Sequence, residues 1–193
     1  MDSERTVGEV ANLIVELGLV DQHTPKLQRL LTKDLDEPLS RYGHTDVSAV
    51  LGLLQELGIL YTFDYKTFRG IGECTDDERR EWYESELQSI AACSRGMVTI
   101  TNVRLVEDDD GRWELEFKCN RTYQYWPIYP GYDDEDIEAG IVFASFVRHL
   151  PTGTVEKFCS VDPQILGVSG ADVFGDPKAL NRLGAHFGLT FIA

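Results

Sequence analysis

Trp113-Glu114-Leu115-Glu116-Phe117-Lys118-Cys119 alternates apolar and charged side chains without a break. Successive side chains of a strand point to opposite faces, so this spacing predicts a half-buried strand with one polar face. Asp108-Asp109-Asp110-Gly111 ahead of it predicts a turn, and Asn120-Arg121 behind it predicts a tight turn into a further strand over 122–126. Met97 to Val106, rich in Val, Ile and Thr, has the composition of the preceding strand. The stretch at about 96–126 therefore reads as an antiparallel meander.

Upstream of the meander the period changes to that of a helix. Val7, Val10, Ile14 and Leu17 share one helical face, Thr6 and Glu9 fit a capping box, and Gly18 fits the stop. A short helix after Pro25 carries Leu27, Leu30 and Leu31. Thr45 or Asp46 caps a third, with Val47, Val50, Leu51, Leu54 and Leu57 as its stripe and Gly58 at its end. Residues 59–63 then have strand composition. Thr75-Asp76-Asp77-Glu78 opens a fourth helix, whose acidic first turn suits the positive end of the helix dipole.

Downstream, Asp133-Asp134-Glu135-Asp136 precedes Ile137, Ile141, Val142, Phe146 and Leu150, which predicts a helix with an acidic start. A strand over 139–147 is the alternative, because that run is β-branched and aromatic. Residues 154–161 read as a strand and 167–175 as a loop. Asp176 caps a last helix with Pro177 at its first position, and Gly188 stops it. The expected class is α+β: an antiparallel sheet packed with helices, behind a helical N-terminal section. The chain reads as a single domain over 1–193, with 1–58 as a possible helical subdomain and a weak boundary at 70–75.

Composition removes several classes of function. Of 193 residues, 33 are acidic and 18 basic, a formal net charge of −15. Phosphate contacts need clustered Lys and Arg, so direct nucleic-acid binding is not expected, and neither is docking on anionic lipid. The opening Met1-Asp2-Ser3-Glu4 is no secretory signal, and no apolar run reaches the roughly 20 residues that span a bilayer. A cytoplasmic protein with reduced thiols at Cys74, Cys93, Cys119 and Cys159 is expected.

Catalytic patterns fail on spacing. The triple aspartate lacks the outer ligands of a calcium loop, with Val106 and Phe117 at those positions. His23, His44, His149 and His186 form no paired metal motif. Gly167-Val168-Ser169-Gly170 lacks the spacing of a nucleophile elbow, and no phosphate-binding glycine loop occurs. Neither a catalytic residue, a metal site nor a cofactor is expected.

What stands out is a surface property. Between Glu107 and Glu138 lie eleven acids against Arg112, Lys118 and Arg121, so this segment carries −8 of the −15. Tyr123, Tyr125, Trp126, Tyr129 and Tyr132 are interleaved with them. Large rings with polar tips anchor interfaces, and a dense negative field draws in a basic partner. The expected partner-binding residues are the carboxylates Glu107, Asp108, Asp109, Asp110, Asp133, Asp134, Glu135 and Asp136, with Trp126, Tyr129 and Tyr132 as anchors.

From Trp113 to Trp126 and onward the order is a strand, a polar turn with Asn, a tyrosine-rich strand and an acidic stretch opening a helix. Another strand, a short helix and a terminal Leu189-Thr190-Phe191 follow. Over roughly 59–192 this order resembles the small acidic immunity proteins encoded beside bacterial polymorphic toxins. The resemblance implies a non-enzymatic protein that blocks a cognate toxin domain, often a nuclease, inside the producing cell. The section 1–58 has no counterpart in it.

Three other readings are open. One is a small enzyme or ligand-binding protein with a cleft between helices and sheet, in which His149 converges with Cys159 or Glu156. The others are a regulatory adaptor docked through its N-terminal helices and a nucleic-acid mimic built from spaced carboxylates. Composition leaves the oligomeric state open.

Overall fold

The computed structural model describes residues 5–64, 74–128, 135–166 and 170–193. Helices α1 (Val7–Glu16), α2 (Pro25–Lys33) and α3 (Asp46–Leu57) lead into strand β1 (Leu60–Thr62). Helix α4 (Asp76–Cys93) precedes the meander of β2 (Ile100–Glu107), β3 (Trp113–Cys119) and β4 (Thr122–Ile128). Helix α5 (Glu135–Phe146), β5 (Lys157–Val161), the single turn α6 (Pro163–Leu166), β6 (Ala171–Gly175), α7 (Pro177–Phe187) and β7 (Phe191–Ile192) complete the order. The chain is α+β, with α5 a helix and not a strand.

Local chemistry starts and stops the helices. The Thr6 hydroxyl accepts from the Glu9 N–H at 3.2 Å while the Glu9 carboxylate accepts from the Thr6 N–H at 2.9 Å. Thr75 and Glu78 repeat the box on α4, and their hydrogen bonds hold the exposed Glu78 carboxyl below its usual value. On α3 the box is Thr45 with Ser48, a hydroxyl serving where Glu is usual. Gly58 ends α3 at φ 78°, a left-handed conformation that side chains disfavour.

Two sheets form. One is four-stranded and antiparallel, in the order β1-β6-β5-β7; the other is the meander β2-β3-β4. The four-stranded sheet is covered on both faces. Leu60, Cys159, Val161, Ala171, Val173 and Phe191 join a core with α1, α2, α3 and α7. Tyr61, Phe158 and Phe174 point the other way, into a core with α4, α5 and the inner face of the meander.

The loop expected over 167–175 is corrected from Ala171 onward, Gly170 being irregular; residues 167–169 lie outside the described residues. Ala171–Gly175 is an inner strand with all five residues buried. A strand covered on both faces has no polar–apolar alternation to read, and Asp172 in its middle disguised it further. The weak boundary at 70–75 lies mostly outside the described residues.

The β3–β4 hairpin closes through Asn120 at φ 48° and Arg121 at φ 72°. Positive φ at both positions matches the twist of the flanking strands. Asn120 also fastens the turn to its surroundings. Its carbonyl oxygen accepts from the Thr99 N–H at 2.9 Å and from the Thr99 hydroxyl at 3.0 Å, and its amide donates to the Met97 and Pro151 carbonyls at 2.7 and 3.1 Å. The two-residue turn sets Cys119 opposite Thr122 and Leu115 opposite Trp126. Among the described residues Arg121 has no such tie, and it bears the left-handed penalty alone. Arg121→Gly is expected to stabilise the fold by about 0.5–1 kcal/mol, the relieved strain less the flexibility glycine adds when unfolded. Urea unfolding, with a raised midpoint and an unchanged slope, is the measurement.

Candidate functional site

The hairpin joining β2 and β3 places Glu107, Asp108, Asp109 and Asp110 together at an exposed tip. Asp108 is partly used by the turn itself: its carboxylate accepts from the Asp110 and Arg112 N–H groups at 2.9 and 2.8 Å. Asp110 lies 3.8 Å from the Arg112 guanidinium, a largely exposed pair that contributes little in water. Glu107 and Asp109 are left facing solvent. Glu135 and Asp136 open α5, whereas Tyr129, Tyr132, Asp133 and Asp134 lie outside the described residues.

Trp126 is not the surface anchor expected of it. It is 3% exposed and packs edge-on to Phe117 at 4.9 Å and Phe143 at 5.5 Å, and stacks on Phe146 at 5.3 Å. The register opposite Leu115 turns it inward, and burying so large a ring outweighs any gain from leaving it in water. The outward tyrosines are Tyr123 and Tyr125, 49% and 55% exposed, with near-parallel rings 6.3 Å apart. A signal for this was present: a two-residue turn after Cys119 sends the even positions 122, 124, 126 and 128 inward and the odd ones outward.

Tyr123 and Tyr125 share the outer face of the meander with Arg104, Val106, Glu114, Glu116 and Lys118. Tyr125 lies opposite Glu116, which lies opposite Arg104; Tyr123 lies opposite Lys118; Pro127 and Val106 flank Glu114. The Arg104 guanidinium pairs with Glu116 at 3.3 Å, and the Lys118 ammonium sits 4.6 Å above the Tyr123 ring. This face has charged groups and rings at strand spacing, the materials of a recognition surface.

The cleft in which His149 would meet Cys159 or Glu156 is not formed by those residues. His149 is exposed at the end of a short 3-10 turn, beside Arg148. Cys159 is fully buried in the first core, and burial pushes its thiol up to about 11. A thiol so placed is a poor nucleophile. Glu156 pairs with Arg95. Among the described residues no group of His, Cys, Asp and Glu has the arrangement to hold a metal ion. Nor is any described helix long and apolar enough to cross a membrane.

Buried polar chemistry does occur where the four-stranded sheet meets α4. Asp172 is 1% exposed and accepts from the Ser160 hydroxyl across the strands at 2.6 Å. Opposite it, Tyr61 donates its hydroxyl to the Glu86 carboxylate at 2.6 Å, which ties β1 to α4. Burial raises the Glu86 carboxyl and the Tyr61 phenol. Burial also pushes the Asp172 carboxyl from 3.8 up to about 6, against the lowering effects of the Ser160 bond and the Arg148 charge. An acid with a raised folded-state pKa adds stability below its unfolded value, and the contribution is lost as pH rises through the folded value. Asp172 therefore costs the fold about 3 kcal/mol between pH 4 and pH 7. Asp172→Asn keeps an acceptor for Ser160 and is expected to remove that fall. Urea unfolding at pH 4.5 and 7.5 measures it, and parallel profiles for the two proteins would refute the assignment.

Compared with protein-family models, with curated proteins and with solved structures, the chain has no significant match.

Proposed function

We propose that this chain is a non-enzymatic acidic binding protein that neutralises a basic partner by occlusion. The partner is a toxin domain, as the resemblance to immunity proteins implies. The observation that carries the reading is the exposed hairpin tip, where Glu107 and Asp109 hold no counter-ion among the described residues, in a chain of net charge −15. A field of that sign speeds the encounter with a cationic surface and orients it. Once docked, the carboxylates pair with Lys and Arg side chains that would otherwise contact the partner's own substrate. No bond is made or broken by this chain in such a mechanism; covering the cationic surface is sufficient.

The reading requires the tip acids to govern the rate of association more than the rate of release, because they sit at a solvated rim. Replacing Glu107 by Gln and both Asp109 and Asp110 by Asn leaves the fold intact, since all three are exposed. Association with a cognate basic toxin domain is expected to slow about tenfold at low salt and to lose most of its salt dependence. Stopped-flow mixing at several ionic strengths measures both. An unaltered association rate would remove the tip from the interface, and failure of the pair to associate at all would end the proposal.

A further inference from the structure

Resting on that proposal, a second observation concerns which cation the outer face of the meander is built to receive. Four groups there attract cations: the carboxylates of Glu114 and Glu116 and the rings of Tyr123 and Tyr125. Two are already served from within the chain, Glu116 by Arg104 at 3.3 Å and Tyr123 by Lys118 at 4.6 Å. The other two are not: among the described residues Glu114 enters no ion pair and no cation lies over Tyr125. They are close together. Tyr125 is directly opposite Glu116, so Glu114 is its diagonal neighbour on the adjacent strand. Diagonal positions on one sheet face are roughly 7–8 Å apart, within the span of one long side chain.

We propose that one arginine side chain of the basic partner docks here, its guanidinium lying flat on the Tyr125 ring and its N–H groups donating to the Glu114 carboxylate. Lys118 on Tyr123 is the internal example of the same contact. Arginine fits better than lysine because its planar fork stacks on a ring and engages a carboxylate at the same time, whereas an ammonium is a compact, strongly hydrated charge. The acidic tip borders the Glu114 end of the face, since β3 begins one residue before it. A cation drawn to the tip is thus delivered next to the unoccupied pair. Val106 and Pro127 flank Glu114 and border the contact with apolar surface.

The test titrates the full chain with a hexa-arginine and a hexa-lysine peptide at about 150 mM salt, following the amide resonances of 113–128. The expected result is arginine bound about two- to fivefold more tightly than lysine, with the largest shifts at Tyr125 and Glu114. Tyr125→Ser and Glu114→Gln should each abolish that preference. Lys118→Gln bares the Tyr123 ring and removes a competing charge, so it should tighten arginine binding, a gain that misfolding cannot imitate. Equal affinity for the two peptides, or a preference that survives Tyr125→Ser, would overturn the inference. Shifts confined to the hairpin tip would overturn it while leaving the acidic binding protein standing. If neither peptide bound, both proposals would fall.

Discussion

Strand β6 is five residues long, and the rest of the molecule is arranged around it. Its backbone bonds to β1 on one side and β5 on the other, while its side chains leave alternately toward two separate cores. Val173 faces the N-terminal helices; Phe174 faces α4, α5 and the meander. Fully burying an apolar side chain is worth roughly 1.5–3 kcal/mol, so a strand that contributes to both layers couples them. Strands β1 and β5 on either side of it do the same, with Leu60 and Cys159 in the first core and Tyr61 and Phe158 in the second. The same placement explains Asp172, a carboxylate tolerated in the middle of an inner strand because Ser160 answers it from the next strand. Its cost is carried by the apolar residues around it.

The meander has a different task. Its inner face is apolar and closes the second core, with Leu115, Phe117, Cys119 and Trp126 all buried. Its outer face is left to solvent and presents rings and charges in a fixed order. Strand geometry makes that order rigid: neighbouring side chains on one face are held at set spacings by the ladder, and the Asn120–Arg121 turn sets the register. The edges are also guarded. Pro127 removes a donor from β4, and β2 is bent by a register shift between Thr101 and Arg104, with Asn102 at φ 56°. Such edges resist unplanned strand pairing.

Charge acts over a longer range than any of these contacts. An excess of fifteen negative charges opposes compaction, and the fold withstands it because most carboxylates stay in water. Asp172 and Glu86, which are withdrawn from it, sit where hydroxyls meet them. The described ion pairs, such as Arg80 with Glu84 at 2.9 Å, are mostly exposed and add little to stability. The acidity is therefore better understood as a property directed outward than as part of what holds the chain together.

Much of this was written in the order of residues alone. Capping boxes at Thr6 and Thr75, the stop at Gly58, the alternation from Trp113 to Cys119 and the proline-led start of α7 are local signals. Local signals act through hydrogen bonds and dihedral preferences that span four residues or fewer, so they survive without knowledge of the fold. The α+β class and the meander followed from them. Three features did not. Ala171–Gly175 became a strand only because two other strands and two cores surround it. Trp126 went inward, and Tyr123 and Tyr125 outward, by a register that the local turn signal at Asn120-Arg121 fixes only together with the pairing of β3 and β4. Asp172 and Glu86 acquired raised pKa values from burial that no neighbour in sequence supplies. Composition determined the sign and size of the charge; which acids and rings lie side by side was decided by strand pairing, because it brings together residues distant along the chain at separations of a few ångströms.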